Sequence, residues 1–302
     1  MRFSAEHVAE WRREGFVTIE RFFEPGEWQA VLADYEEIYR DAGQGEGVGS
    51  PLELKPDERS ANRGTQFKNI HVLPYPGSAA INLISLHPAL IDFARALLGV
   101  SDVRLYQSHT WAKYTGEADY DQDFHCDFGN HTLLAPADDE ALRTVDFIVY
   151  FTDVTRAHGA LRYVTKSDVQ ATLGRPAISI SGESEQRALR EKERAAEVPA
   201  GSLVAHGIDT VHRGSNLTAP GGRRFSMTIG FKAAGSDHIA FHVWQASGGR
   251  QWQRVLDHAS PEQLACLGIP RPGHAYWTPR TLELTQKRWP DWNMGEYFAA
   301  VR

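Results

Sequence analysis

The 302-residue chain has only two cysteines, Cys126 and Cys266, too few for a disulfide framework or a cysteine-based zinc knuckle. It also lacks any basic excess. A net charge of −7 gives no electrostatic footprint for nucleic acid or an anionic membrane surface. The opening MRFSAEHVAEW has no apolar signal-peptide core, and no apolar run approaches membrane-spanning length. These absences lead us to expect a cytoplasmic protein whose partners are neither nucleic acids nor membranes. The glycines of GQGEGVGS (43–50) fit neither the dinucleotide nor the P-loop spacing, and no strand precedes them, so a loop is expected there.

What is present is an ordinary globular composition, 42% hydrophobic and 11% aromatic. With no repeat or long linker, a single domain over residues 1–302 is the simplest organisation. Helices dominate residues 1–100. Ser4 should cap one through about Arg13, residues 26–41 carry helical periodicity, and HPALIDFARALLG (87–99) ends at a terminating Gly99. GFVTIERFF (15–23) reads as a strand between them. From about 101 to 235 the chain turns to strands: VRLYQSHTWAKY, HTLLAP, TVDFIVYFTDV, ALRYVT, GSLVAHG and RRFSMTIGFKA. Val145, Phe147, Val149 and Phe151 share one face and Ile148 and Tyr150 the other, which predicts apolar cover on both sides. A mixed-charge helical insert at 183–197 interrupts the strands. After about 240 the chain is helical and aromatic, with Trp252, Trp277, Trp289 and Trp292.

The chemistry concentrates in DFHCDFGNHTLLAP (123–136). Read as a strand, its alternation points His125 and Asp127 to one side and Cys126 to the other. An imidazole and a carboxylate so placed can bind adjacent positions of one metal. AHGIDTVHRGSN (205–216) offers a third ligand, His206 or His212. Two histidines and one carboxylate with open positions opposite are the site of non-haem Fe(II) oxygenases. Eleven residues beyond His212 stands Arg223, followed by Arg224, at the start of RRFSMTIGF. A strand arginine with its planar fork suits the far carboxylate of a dicarboxylate co-substrate.

The chain resembles the phytanoyl-CoA dioxygenase family of Fe(II)/2-oxoglutarate oxygenases over nearly its whole length. The similarity rests on EWRREGFVTIERFFEPGEWQAVLADYEEI, HPALIDFARALLG, FHCD, DVTRAHGALRYVTKS and PAGSLVAHGIDTVHRGSNLTAPGGRR. The resemblance implies a mostly β fold with flanking helices, a double-stranded β-helix of the jelly-roll, cupin-like kind. It also implies His125, Asp127 and His212 as ligands of Fe(II), with 2-oxoglutarate and O2 as co-substrates and Arg223 or Arg224 as the 2-oxoglutarate anchor. Gln107 and Lys113 fall where the family often places cofactor- or substrate-facing residues; His131 and Thr132, just after the HxD, are either groups that orient 2-oxoglutarate or a packed or exposed pair. The reaction implied is hydroxylation or another oxidation of a C–H bond of a small molecule, releasing succinate and CO2. The family's proline-glycine-serine-histidine turn is here Thr165-Lys166-Ser167-Asp168, and Cys126 replaces a glutamine.

His206 becomes a structural histidine once His212 takes the ligand position. His238 and His242 have helical spacing without the HExxH glutamate, and Asp119, Asp121 and Asp123 lack the glycine of a calcium loop. Of the two arginines, alternation groups Arg223 with Phe225, Met227, Ile229 and Phe231, which predicts that this row lines the barrel interior. Arg224 shares its face with Ser226, an Arg-x-Ser pairing. Two other functions use the same ligands: a zinc hydrolase or isomerase, which leaves the strand arginine unexplained, and a binding protein without turnover.

Overall fold

The computed structural model describes residues 2–40, 70–115, 121–177, 180–239 and 250–301, with the backbone of 67–68. The loop expected at 43–50, Asp119 and His242 lie outside these residues.

Ser4 caps helix α1 (Ala5–Glu14) by accepting from the His7 amide, and Gly15 ends it at φ 91°, a left-handed conformation that costs glycine nothing. Strand β1 (Phe16–Ile19), helix α2 (Pro25–Ile38), the short strand β2 (Phe67–Lys68) and helices α3 (Ala79–Leu83) and α4 (Pro88–Leu98) follow. Next come β3 (Val103–Tyr114), the single turn α5 (Phe128–His131), β4 (Thr144–Tyr150), β5 (Arg162–Tyr163), α6 (Lys166–Leu173) and α7 (Glu183–Arg190). The remaining strands are β6 (Arg194–Ala195), β7 (Leu203–Gly207), β8 (His212–Arg213) and β9 (Arg223–Ala233). Helices α8 (Gln253–Leu256), α9 (Pro261–Cys266), α10 (Pro279–Arg288) and α11 (Gly295–Ala300) complete the described chain.

The strands form a six-stranded sheet in the order β1-β7-β4-β9-β3-β2 and a three-stranded sheet β6-β5-β8. All pairings are antiparallel. The two sheets are those of a jelly-roll, but they do not close into a continuous barrel. Phe16, Ile148, Tyr150 and Val204 of the large sheet meet Tyr163 of the small one in the apolar layer between them. The opposite face of the large sheet carries Val145, Phe147, Val149, Phe225, Met227, Ile229 and Phe231, and packs against Leu90, Phe93 and Leu97 of α4. The same cluster takes in Trp11, Trp252, Trp277, Trp292 and Tyr297, so the C-terminal aromatics extend the core behind the sheet. β1, from within the N-terminal helical region, pairs with β7 and belongs to the large sheet.

Three local expectations change. HTLLAP is not a strand: His131 ends α5, Thr132 makes an isolated bridge to Ile239, and Leu133 and Leu134 are exposed. The 183–197 insert is helical only to Arg190, after which Arg194 and Ala195 join the small sheet. The stretch Ala79–Leu98 is long and apolar enough by composition to cross a membrane, yet 61% of its window is buried within the molecule. Its apolar face is spent on the sheet.

Candidate metal centre

The segment around His125 is not the strand that alternation suggested. His125 and His212 form an isolated antiparallel bridge, exchanging two backbone hydrogen bonds of 3.0 Å. Asp127 already has helical dihedrals, φ −78° and ψ −13°, at the head of α5. The bridge therefore sets the two imidazoles side by side, and the helical turn folds the carboxylate back onto both. Cys126 points elsewhere, donating its Sγ–H to the Asp209 carbonyl at 3.2 Å.

One donor atom from each of His125, Asp127 and His212 lies within 4.8 Å of the other two. His125 Nε2 is 3.8 Å from Asp127 Oδ1, and His212 Nε2 is 3.6 Å from Asp127 Oδ2. The other nitrogen of each ring is engaged by backbone: His125 Nδ1 donates to the Asp123 carbonyl at 2.8 Å and His212 Nδ1 to the Thr210 carbonyl at 3.0 Å. With Nδ1 carrying the proton, each Nε2 presents a lone pair toward the carboxylate, the tautomer a metal-binding histidine requires. Burial pushes His212 down to about 3, against the pull of Asp127, so its imidazole is neutral. Two imidazoles and one carboxylate, open on one side, fit a divalent transition metal such as Fe(II).

His206 stands against this group. It is 1% exposed, its Nε2 lies 3.6 Å from Asp127 Oδ2, and its Nδ1 lies 3.3 Å from the Tyr163 hydroxyl. The sequence alone suggests a structural histidine; the fold shows that it faces Asp127.

The arginine expectation is reversed. Phe225, Met227, Ile229 and Phe231 pack on the helical side, so the apolar row faces away from the space between the sheets. Arg223, at the end of that row, is exposed and pairs with Glu36 at 2.6 Å. Arg224 occupies the inner face instead, 5% exposed, donating to the Gly159 carbonyl and lying directly across from Lys113 of β3. On β9 the face turned toward the small sheet is the more polar one, which inverts the usual rule for a strand with one buried side. Lys113 is fully buried, donates to the Ser215 carbonyl at 2.5 Å, and is pushed down to about 6 by burial and by Arg224. Gln107, on the same face as Lys113, donates from Nε2 to Asp146 Oδ1 at 2.7 Å and to the Tyr106 hydroxyl at 2.9 Å. Thr132 is not drawn in: its hydroxyl accepts from the Leu134 amide in the exposed loop. His131 is buried edge-to-face against Tyr106.

Asp146 was overlooked. It is 1% exposed and also accepts from Thr144 Oγ1 at 3.0 Å. A lone carboxylate inside the apolar run TVDFIVY was the available signal, since such a residue is rarely buried without partners.

Two antiparallel sheets of jelly-roll type carrying a His-Asp-His group, with a buried arginine–lysine pair on the face of the large sheet that turns toward the small one, fit the class of non-haem iron oxygenases. The profile of the phytanoyl-CoA dioxygenase family matches residues 11–225, and the chain belongs to that family. Ectoine dioxygenase of Bordetella parapertussis is 26% identical over 241 residues, covering 72% of this chain and 71% of that protein. Among solved structures, the epimerase SnoN in complex with Fe3+, alpha ketoglutarate and nogalamycin RO shares the fold at TM-score 0.56 and 19% identity, covering 76% of this chain and 83% of SnoN. HygX from Streptomyces hygroscopicus, with nickel, 2-oxoglutarate and hygromycin B bound, superposes at TM-score 0.53 and 15% identity, over 77% and 88% of the two chains. The protein is a 2-oxoglutarate-dependent iron dioxygenase.

Proposed function

We propose that this enzyme oxidises a C–H bond of a small-molecule substrate, with His125, Asp127 and His212 holding the iron and Arg224 anchoring 2-oxoglutarate. The observation that carries the reading is the paired Nδ1–carbonyl bonds that turn both Nε2 atoms toward Asp127. The bound iron, with 2-oxoglutarate and O2, supplies the oxidising power and releases succinate and CO2. The chain supplies placement. Asp127 would contribute the negative charge, and the two imidazoles would leave room at the metal for co-substrate and O2.

Arg224 and Lys113 are cross-strand neighbours, and both can carry positive charge. A carboxylate lodged beside them offsets both their repulsion and the desolvation that depresses Lys113. Gln107, whose amide nitrogen is committed to Asp146 and Tyr106, keeps its carbonyl oxygen as an acceptor for a bound molecule. The name of one relative and the ligands of SnoN and HygX support a small organic substrate. The test is anaerobic loading with Fe(II) and 2-oxoglutarate, followed by O2 and quantitation of succinate. Succinate above a metal-free control, accelerated by members of a panel of small metabolites, is expected. No succinate under any condition, with iron bound, points to a protein that binds without turnover.

A further inference from the structure

We infer that His206 is a positioning residue for the iron-binding carboxylate: its Nε2–H holds the oxygen of Asp127 that does not bind metal, and Tyr163 fixes the tautomer that makes this possible. The inference rests on the assignment of His125, Asp127 and His212 as the ligands. His206 stands outside the trio whose donor atoms are mutually within 4.8 Å, so it abuts the carboxylate without sharing the metal's position. Its Nε2 is buried and makes no hydrogen bond. A buried ring nitrogen left so is rare unless a partner comes to it on binding. The carboxylate oxygen 3.6 Å away, Asp127 Oδ2, is placed to be that partner. The separation is a few tenths of an ångström beyond a hydrogen bond, a gap that a small swing of the carboxylate closes.

The other side of the ring decides which nitrogen bears the proton. His206 Nδ1 faces the Tyr163 hydroxyl at 3.3 Å. A phenol donating to Nδ1 leaves the proton on Nε2, directed at Asp127. Tyr163 is itself fixed, fully buried, stacked on Phe16 at 4.8 Å and lying nearly parallel to His212 at 5.8 Å. The three side chains come from different strands of both sheets: His206 from β7, Tyr163 from β5, and His212 from β8. An Asp127 held through one oxygen binds the cation through the other, which keeps the carboxylate from spreading over a second position needed by 2-oxoglutarate or O2.

The test uses Co(II) alone as probe on metal-free protein, measuring its affinity by chelator competition and its visible ligand-field spectrum. His206→Leu should weaken Co(II) binding about 10–100-fold and alter the spectrum while one Co(II) per chain still binds. His206→Gln, which restores an N–H donor at similar reach, should recover most of both. Tyr163→Phe should shift the spectrum in the same direction by a smaller amount. Wild-type affinity and spectrum in folded His206→Leu would overturn the inference, as would complete loss of Co(II) matching that of His212→Ala, which would make His206 a ligand. If His206→Leu does not fold, Tyr163→Phe decides: a shifted spectrum with weakened Co(II) affinity at a normal Tm supports the inference, and wild-type spectrum and affinity overturn it. Retention of Co(II) by His212→Ala or Asp127→Ala would instead overturn the ligand assignment on which the inference rests.

Discussion

At the scale of single residues the site is a set of committed nitrogens and one unusual lysine. Lys113 is pushed down to about 6 by burial and by Arg224, so at neutral pH the folded protein keeps it largely neutral while the unfolded chain protonates it. The unfolded state then binds the extra proton, and this group makes stability rise with pH between about 6 and the ordinary lysine value. Binding of an anion favours the protonated form, so 2-oxoglutarate affinity should fall as pH rises above about 6. Calorimetric titration of the Fe(II)-loaded protein across that range should show the trend, and Lys113→Met should bind more weakly with a flatter profile. The arginines divide just as sharply. Arg224→Lys keeps the charge but loses the planar fork, and should raise the 2-oxoglutarate KM roughly tenfold or more without loss of iron. Arg223→Lys, changed at an exposed pair with Glu36, should leave that KM within about twofold, because surface pairs contribute little. The same succinate assay reads both variants.

At the scale of elements, β9 is the strand that organises the centre, lying between β4 and β3. Its Gly230 sits opposite Asp146 on one side and Gln107 on the other. A Cβ built there would come within 2.4 Å of both Asp146 Oδ1 and Tyr106 Cε1 and within 2.7 Å of Gln107 Cγ. The polar cluster has packed onto bare backbone. Gly230→Ala should therefore cost about 1–3 kcal/mol by overpacking, read as a lower urea midpoint, and should depress turnover by displacing Gln107. The bridge between His125 and His212 is the other decisive element. It is one residue pair long, and it owes its position to β8, held against β5.

At the scale of the whole molecule, the metal centre and the main apolar core lie on opposite faces of one sheet. The core joins Trp11 near one terminus to Tyr297 near the other, which leads us to propose that the chain unfolds as one cooperative unit. Phe93→Ala, at a fully buried ring stacked on Phe147 at 5.6 Å, should lose about 3–5 kcal/mol. Urea denaturation should show one transition at a lower midpoint, with metal stoichiometry unchanged in the folded baseline. Two separate transitions, only one of them moved by the substitution, would contradict the single unit.

Local sequence by itself determined the elements whose information is local. The strand runs VRLYQSHTWAKY and RRFSMTIGFKA coincide with β3 and β9 residue for residue. Ser4 and Gly99 cap where their chemistry says they should, and Gly99 ends α4 at φ 66°. His125 and Asp127 are legible as an HxD, because ligand types at short spacing leave a pattern, while the choice of His212 over His206 rests on the family resemblance. Tertiary structure alone decided how they meet. Asp127 turns in a helical conformation that two-residue alternation cannot foresee. It decided, too, which face of β9 looks inward. Apolar periodicity reports that a face is buried, not against what, and here the more apolar face lies under the helices while the polar one, with Arg224, turns toward the small sheet. The placing of His206 and Tyr163 beside the carboxylate depends on three strands from two sheets. Contacts of that range leave no periodic trace in the chain that makes them.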